Sequence, residues 1–127
     1  MITRSRVTTS IIGAAVLSAS VIVGAGTAQA ASPAATAFRT CLNSYGTAYN
    51  YALKAGKDDV ARAIDLTGLA NCNYELSQRS DITDTQEINA INNYNRYAAA
   101  AKQAITKAGL KETQKILTKY ALKGLRL

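Results

Sequence analysis

Two cysteines placed symmetrically about a glycine restrict the fold of this chain more than any other feature. Cys41 and Cys72 are the only cysteines, and the midpoint between them, 56.5, falls between Gly56 and Lys57. If the segments on either side are helices, an antiparallel hairpin turning there sets residues equidistant from the turn opposite each other. A disulfide between Cys41 and Cys72 then pins the open end. The chain-entropy model values closing a loop of about 30 residues at roughly 3 to 4 kcal/mol.

The helices are legible on both sides of the turn. Ser32-Pro33 reads as an N-cap followed by proline at the first helical position, and Gly56 as a stop. Between them a helical wheel gathers Ala34, Phe38, Cys41, Leu42, Tyr45, Ala48, Tyr49, Ala52 and Leu53 on one face. Arg39, Asn43, Thr47, Asn50 and Lys54 fall opposite. Asp58 or Asp59 is expected to cap a second helix running to about Gln78. Its apolar residues lie on two sides, Val60, Ala63, Ile64, Ala70 and Tyr74 against Ala61, Leu69, Cys72 and Leu76. Either Gly68 kinks this helix or neighbours sandwich it, and both readings make it the central element.

Thr83 with Gln86, or Asp84 with Glu87, forms a capping-box pattern for a third helix that runs to Ala108 and stops at Gly109. Its expected buried stripe is Ile91, Tyr94, Ala98, Ala101, Ile105 and Ala108. A fourth helix, from about Leu110 to Lys123, is sharply two-faced. Leu110, Ile116, Leu117, Tyr120, Ala121 and Leu125 occupy one half; Lys111, Lys115, Lys119, Lys123 and Arg126 occupy the other, with Leu122 on the basic side. The period throughout is that of helices, so the predicted fold is all-α: a small four-helix bundle with a disulfide-stapled antiparallel helical hairpin.

The N-terminus carries an export signal. Arg4 and Arg6 precede an apolar stretch from Ile11 to Ala25, and Ala28-Gln29-Ala30 supplies the small residues of a cleavage site. The glycines at 13, 24 and 26 and the hydroxyl residues Ser18, Ser20 and Thr27 favour cleavage over retention as an anchor. Residues 1–30 are thus expected to be a signal peptide and residues 31–127 a single helical domain. An exported chain meets the oxidising conditions in which disulfides persist. Charge is uneven along the mature chain: residues 96–127 carry a net +7, with Glu112 the one acidic group, whereas residues 31–95 sum to −2. An anionic partner belongs at the basic end.

Catalytic and cofactor chemistry find little to work with. The chain has no histidine, and its one methionine is Met1. Histidine-based nucleophile systems and the usual zinc sites therefore fall away. The carboxylates sit where caps and solvated helix faces call for them, so no enzyme activity is expected. Tyr45, Tyr49, Tyr74 and Tyr94 in a bundle could present a phenolate to haem iron. With no histidine or second methionine to complete such a site, they read as core packing with hydroxyls at the rim. No catalytic, cofactor or metal site is assigned.

The run Cys41-Leu42-Asn43-Ser44-Tyr45, followed by Ala52-Leu53, Gly56-Lys57-Asp58 and Cys72, resembles the disulfide-stapled helical hairpin of the plant invertase and pectin methylesterase inhibitors. The likeness spans residues 38–105. It implies a four-helix bundle that blocks secreted carbohydrate-active enzymes. The additional N-terminal hairpin of that family, with its own disulfide, has no counterpart among these two cysteines, so no inhibitory residue is carried over.

The expected function is therefore that of a secreted, non-catalytic helical protein that binds an extracellular or envelope protein, in one form as an enzyme inhibitor. Its candidate surfaces are the basic row Lys111, Lys115, Lys119, Lys123 and Arg126, and Tyr51, the one first-helix aromatic on the polar face. The alternative is a cationic, membrane-active protein whose C-terminal helix lies on anionic lipid. A ligand carrier ranks third. Export and the lack of aromatics interleaved with the basic row count against nucleic acid.

Overall fold

The computed structural model describes residues 32–126; the expected signal peptide lies outside them. Helix α1 (Pro33–Lys54) starts where the sequence places it, with Ser32 Oγ accepting the Ala35 N–H at 3.1 Å and Pro33 in the first turn. It ends in a left-handed turn at Gly56, φ 75°. There the Lys57 N–H donates to the Ala52 carbonyl at 2.9 Å and the Gly56 N–H to that of Leu53 at 3.0 Å. The turn is so tight that α2 (Asp58–Ser77) follows at once. Lys57 is its N-cap and makes no side-chain capping bond. Asp58 and Asp59, expected as caps, instead occupy the first turn, where their charge complements the helix dipole.

The hairpin is stapled by the Cys41–Cys72 disulfide, with Cα atoms 5.8 Å apart. One turn further in, Gly68 lets the two helices close up: a Cβ there would lie 2.6 Å from Cβ and Cγ of Tyr45. The helix is sandwiched between its neighbours and runs unbroken from Asp58 to Ser77.

That contact sets the architecture of this four-helix bundle. α1 flanks α2 on one side and α3 (Asp84–Ala108) on the other, and no Cα of α1 comes within 8 Å of α3. α4 (Leu110–Lys119) touches all three. Between Val60 and Asn73 only Arg62, Asp65 and Leu69 reach solvent, a spacing of i, i+3, i+7 that draws one stripe. The stripe faces away from Val60 and Ile64, which pack with Ile116 and Leu117 of α4 and with Tyr45, Ala48 and Ala52 of α1. A second cluster joins Ala63 and Leu66 to Ala101 and Ala104. Alanine dominates both clusters. Small side chains bring the helices close but bury little area each.

α3 opens with the Thr83–Gln86 capping box: Thr83 Oγ1 accepts the Gln86 N–H at 3.1 Å, and Gln86 Oε1 the Thr83 N–H at 2.8 Å. Its buried residues are Ala90, Ala101 and Ala104, while Ile91 of the expected stripe is 41% exposed. The face against α2 is the one whose alanines permit close approach, and the helix is turned to present it. Leu53 and Leu110, also expected inside, lie exposed beside the Gly56 and Gly109 turns, where the chain leaves the core.

The largest departure is at α4. The apolar period carries on to Lys123, but the helix stops at Lys119. Leu122 N–H donates to the Leu117 carbonyl at 2.8 Å and Ala121 N–H to that of Thr118 at 3.0 Å, a Schellman ending with alanine where glycine is usual. Ala121 takes φ 55°, a conformation that costs an L-residue roughly 1 to 2 kcal/mol. Leu122, expected on the basic side, folds back half-buried against the core.

Candidate interaction surfaces

α4 is held by its apolar side. Thr113, Ile116 and Leu117 are buried, while Lys111, Lys115 and Lys119 are exposed at every fourth position. At 1.5 Å per residue they form a row roughly 12 Å long. Glu112, the one acidic residue of this region, is drawn off by Lys57 of the hairpin turn at 3.0 Å, and that bond holds its carboxyl below the ordinary range. The three lysines make no ion pair among the described residues. Lys123 and Arg126, expected to continue the row, lie beyond the helix end in an irregular tail.

Tyr51 sits at the edge of this row. It is 41% exposed, with its ring 5.8 Å from that of Tyr120 in an edge-on arrangement and Lys119 Nζ 5.2 Å above it. These contacts tie the end of α1 to the end of α4. They also place an aromatic pair beside free cationic groups.

A second constellation, unforeseen as a unit, gathers around Asn71. This amide, 1% exposed, donates from Nδ2 to the Gly124 carbonyl at 2.8 Å and to Tyr45 Oη at 3.1 Å, while its Oδ1 accepts the Arg126 N–H at 3.2 Å. Tyr45 Oη donates to the Lys123 carbonyl at 2.8 Å, and Tyr94 Oη to that of Arg126 at 3.0 Å. Burial pushes the Tyr45 phenol up from its ordinary value, so it remains a donor at neutral pH. The Arg126 guanidinium lies 4.0 Å over the Tyr74 ring, and Tyr74 packs on Tyr94 at 5.5 Å. The available signal was a polar residue at a core position of α2, seven residues on from Ile64 on the same side.

Asp65 is the odd member of the open stripe on α2. It is half-buried, has no hydrogen-bond or ion-pair partner among the described residues, and burial pushes its carboxyl up to about 6, offset in part by Arg62. The folded state therefore resists ionising a group that ionises near 3.8 when unfolded. Stability from this group is full below the unfolded value and is lost as pH rises through about 6. Asp65→Asn is expected to stabilise the protein by about 1 to 2 kcal/mol at pH 7, with allowance for solvent screening. The gain should shrink almost to nothing by pH 4. Urea melts of both proteins at the two pH values check this, and an equal gain at both would show that ionisation is not its source.

Among the described residues no three His, Cys, Asp or Glu side chains cluster in a way that could hold a metal ion. No described helix is long and apolar enough to cross a membrane. A shallow depression between α2 and α3, lined by Asp59, Arg62, Gln103 and Lys107, has a volume of about 200 Å³. That is smaller than the ~300 to 1,000 Å³ typical of small-molecule sites. No family model, no curated protein and no solved structure matches this chain.

Proposed function

We propose that this chain is an exported, non-catalytic binding protein that docks an acidic protein partner on the outer face of α4, with the Tyr51–Tyr120 pair as its aromatic anchor. One observation carries the reading. Ile116 and Leu117 are 5% and 2% exposed, so α4 spends most of its apolar side on the core and turns Lys111, Lys115 and Lys119 outward. Cationic groups beside an exposed aromatic edge suit a wet, reversible protein interface. Export rests on the N-terminal signal, and the disulfide is compatible with it. The more particular form, inhibition of an extracellular enzyme, rests on the resemblance of residues 38–105 to the invertase and pectin methylesterase inhibitors. The membrane-active alternative requires the same leucine and isoleucine to leave the core.

The test is capture by a photo-crosslinking residue in place of Thr118, exposed on α4 beside Lys119, in culture medium and envelope fractions of the producing cells. One protein adduct is expected. Lys111→Glu, Lys115→Glu and Lys119→Glu combined should reduce its yield at least tenfold, chiefly through slower association. The exposed control Arg39→Glu should leave it unchanged. Equal yield from the triple variant would contradict the docking face.

A further inference from the structure

The C-terminal tail is in conflict with its own local sequence. Tyr120, Ala121, Leu122 and Lys123 contain no glycine or proline and continue the amphipathic period of α4. They nevertheless leave the helix, through a left-handed alanine, to lay the segment from Lys123 to Arg126 across residues of three helices. What holds it there is mostly backbone recognition. Tyr45 of α1 takes the Lys123 carbonyl; Asn71 of α2 takes the Gly124 carbonyl and the Arg126 N–H with the two ends of one amide; Tyr94 of α3 takes the Arg126 carbonyl. Bonds of this kind read a peptide backbone without regard to its side chains. Side-chain selection comes from two places: the Tyr74 face, which holds the Arg126 guanidinium, and the second core cluster, which receives Leu125. Of the side-chain partners of the Asn71 amide only Tyr45 belongs to the helices, so the buried amide is largely satisfied by the tail.

We propose that Tyr45, Asn71, Tyr74 and Tyr94 form a binding site for a non-helical peptide segment of a partner protein carrying a Leu-Arg pair, and that the chain's own tail is its resident occupant. Release breaks the tail's hydrogen bonds and frees Leu125 and Arg126, and Ala121 then returns to helical φ, so that α4 winds on and the tail leaves with it. The segment is then a two-state element, helical when free and irregular when captured. This site is separate from the α4 face and does not depend on the reading of that face.

A tethered occupant outcompetes a free one through its effective concentration, so the test lifts the tail without touching the site. In full-length Ala121→Pro, proline cannot take φ 55° and the captured turn is excluded. Acetyl-Leu-Lys-Gly-Leu-Arg-Leu, the sequence of residues 122–127, is titrated into this protein and followed by the backbone amide NMR signals of Tyr74 and Tyr94. Saturable binding is expected, at least tenfold weaker when the peptide arginine is alanine, and absent when Asn71→Ala is added to the protein. No saturable binding to a folded Ala121→Pro chain would overturn the proposal. Hydrogen exchange on the wild-type chain decides it if that variant does not fold. The Arg126 amide should exchange at least 100-fold faster than the Asn71 backbone amide within α2, and equal protection would show a tail that does not detach.

Discussion

Leu117→Asp should leave no folded protein at 37 °C. Leu117 is 2% exposed and packs in the cluster that joins α4 to Ile64 of α2 and Ala52 of α1, so a carboxylate there has neither water nor a cation in the core. An uncompensated buried charge together with the lost leucine costs on the order of 4 to 5 kcal/mol or more. A domain of this size with an alanine-rich core holds little more than that in reserve. The exposed neighbours behave differently: Lys111, Lys115 and Lys119 changed to Gln should alter stability by less than about 0.5 kcal/mol, because isolated surface charges contribute little. Circular dichroism melts separate the two cases. A Leu117→Asp protein that melts like wild type would mean that α4 is not part of the core.

Removing the staple should be nearly as damaging. Cys41 and Cys72 are 31 residues apart in sequence, and closing that loop restricts the unfolded chain by roughly 3 to 4 kcal/mol. Cys41→Ser with Cys72→Ser should therefore lower the Tm by at least about 10 °C in a domain this small. The helices would keep their close contact at Gly68 but lose the tie at the open end of the hairpin. Reduction of the wild-type protein should reproduce the shift. An unchanged melting curve would assign the stability of the hairpin wholly to its packing.

The hairpin could be read from the chain because its signals are local and agree with one another. Proline and serine start α1, Gly56 ends it, and the cysteines are equidistant from the turn. The central place of α2 was legible too, as apolar residues on two sides of one helix. Whether Gly68 kinks or packs was not, since that depends on Tyr45 arriving from another helix. The end of α4 was illegible for the same reason. Residues 120–123 are helical by propensity and period, and they are pulled out of the helix by Tyr45 and Asn71, which lie some 50 to 80 residues earlier. The five-member basic row consequently shortens to Lys111, Lys115 and Lys119 on α4, with Arg126 carried away to the Tyr74 ring. Ile91 illustrates a different gap: a wheel ranks residues by hydrophobicity, whereas close helix contact selects for smallness, so alanines won the interior of α3.

The central claim is that α4 stays docked and meets its partner with its lysines and the aromatic edge. Amide hydrogen exchange of Ile116 and Leu117, measured at physiological salt with and without phosphatidylglycerol–phosphatidylcholine vesicles holding a trapped dye, tests it most directly. The account predicts unchanged protection at both amides and full retention of the dye. Altered exchange confined to α4, with the stapled hairpin still protected and the dye released, would contradict it and identify the basic helix as a membrane arm.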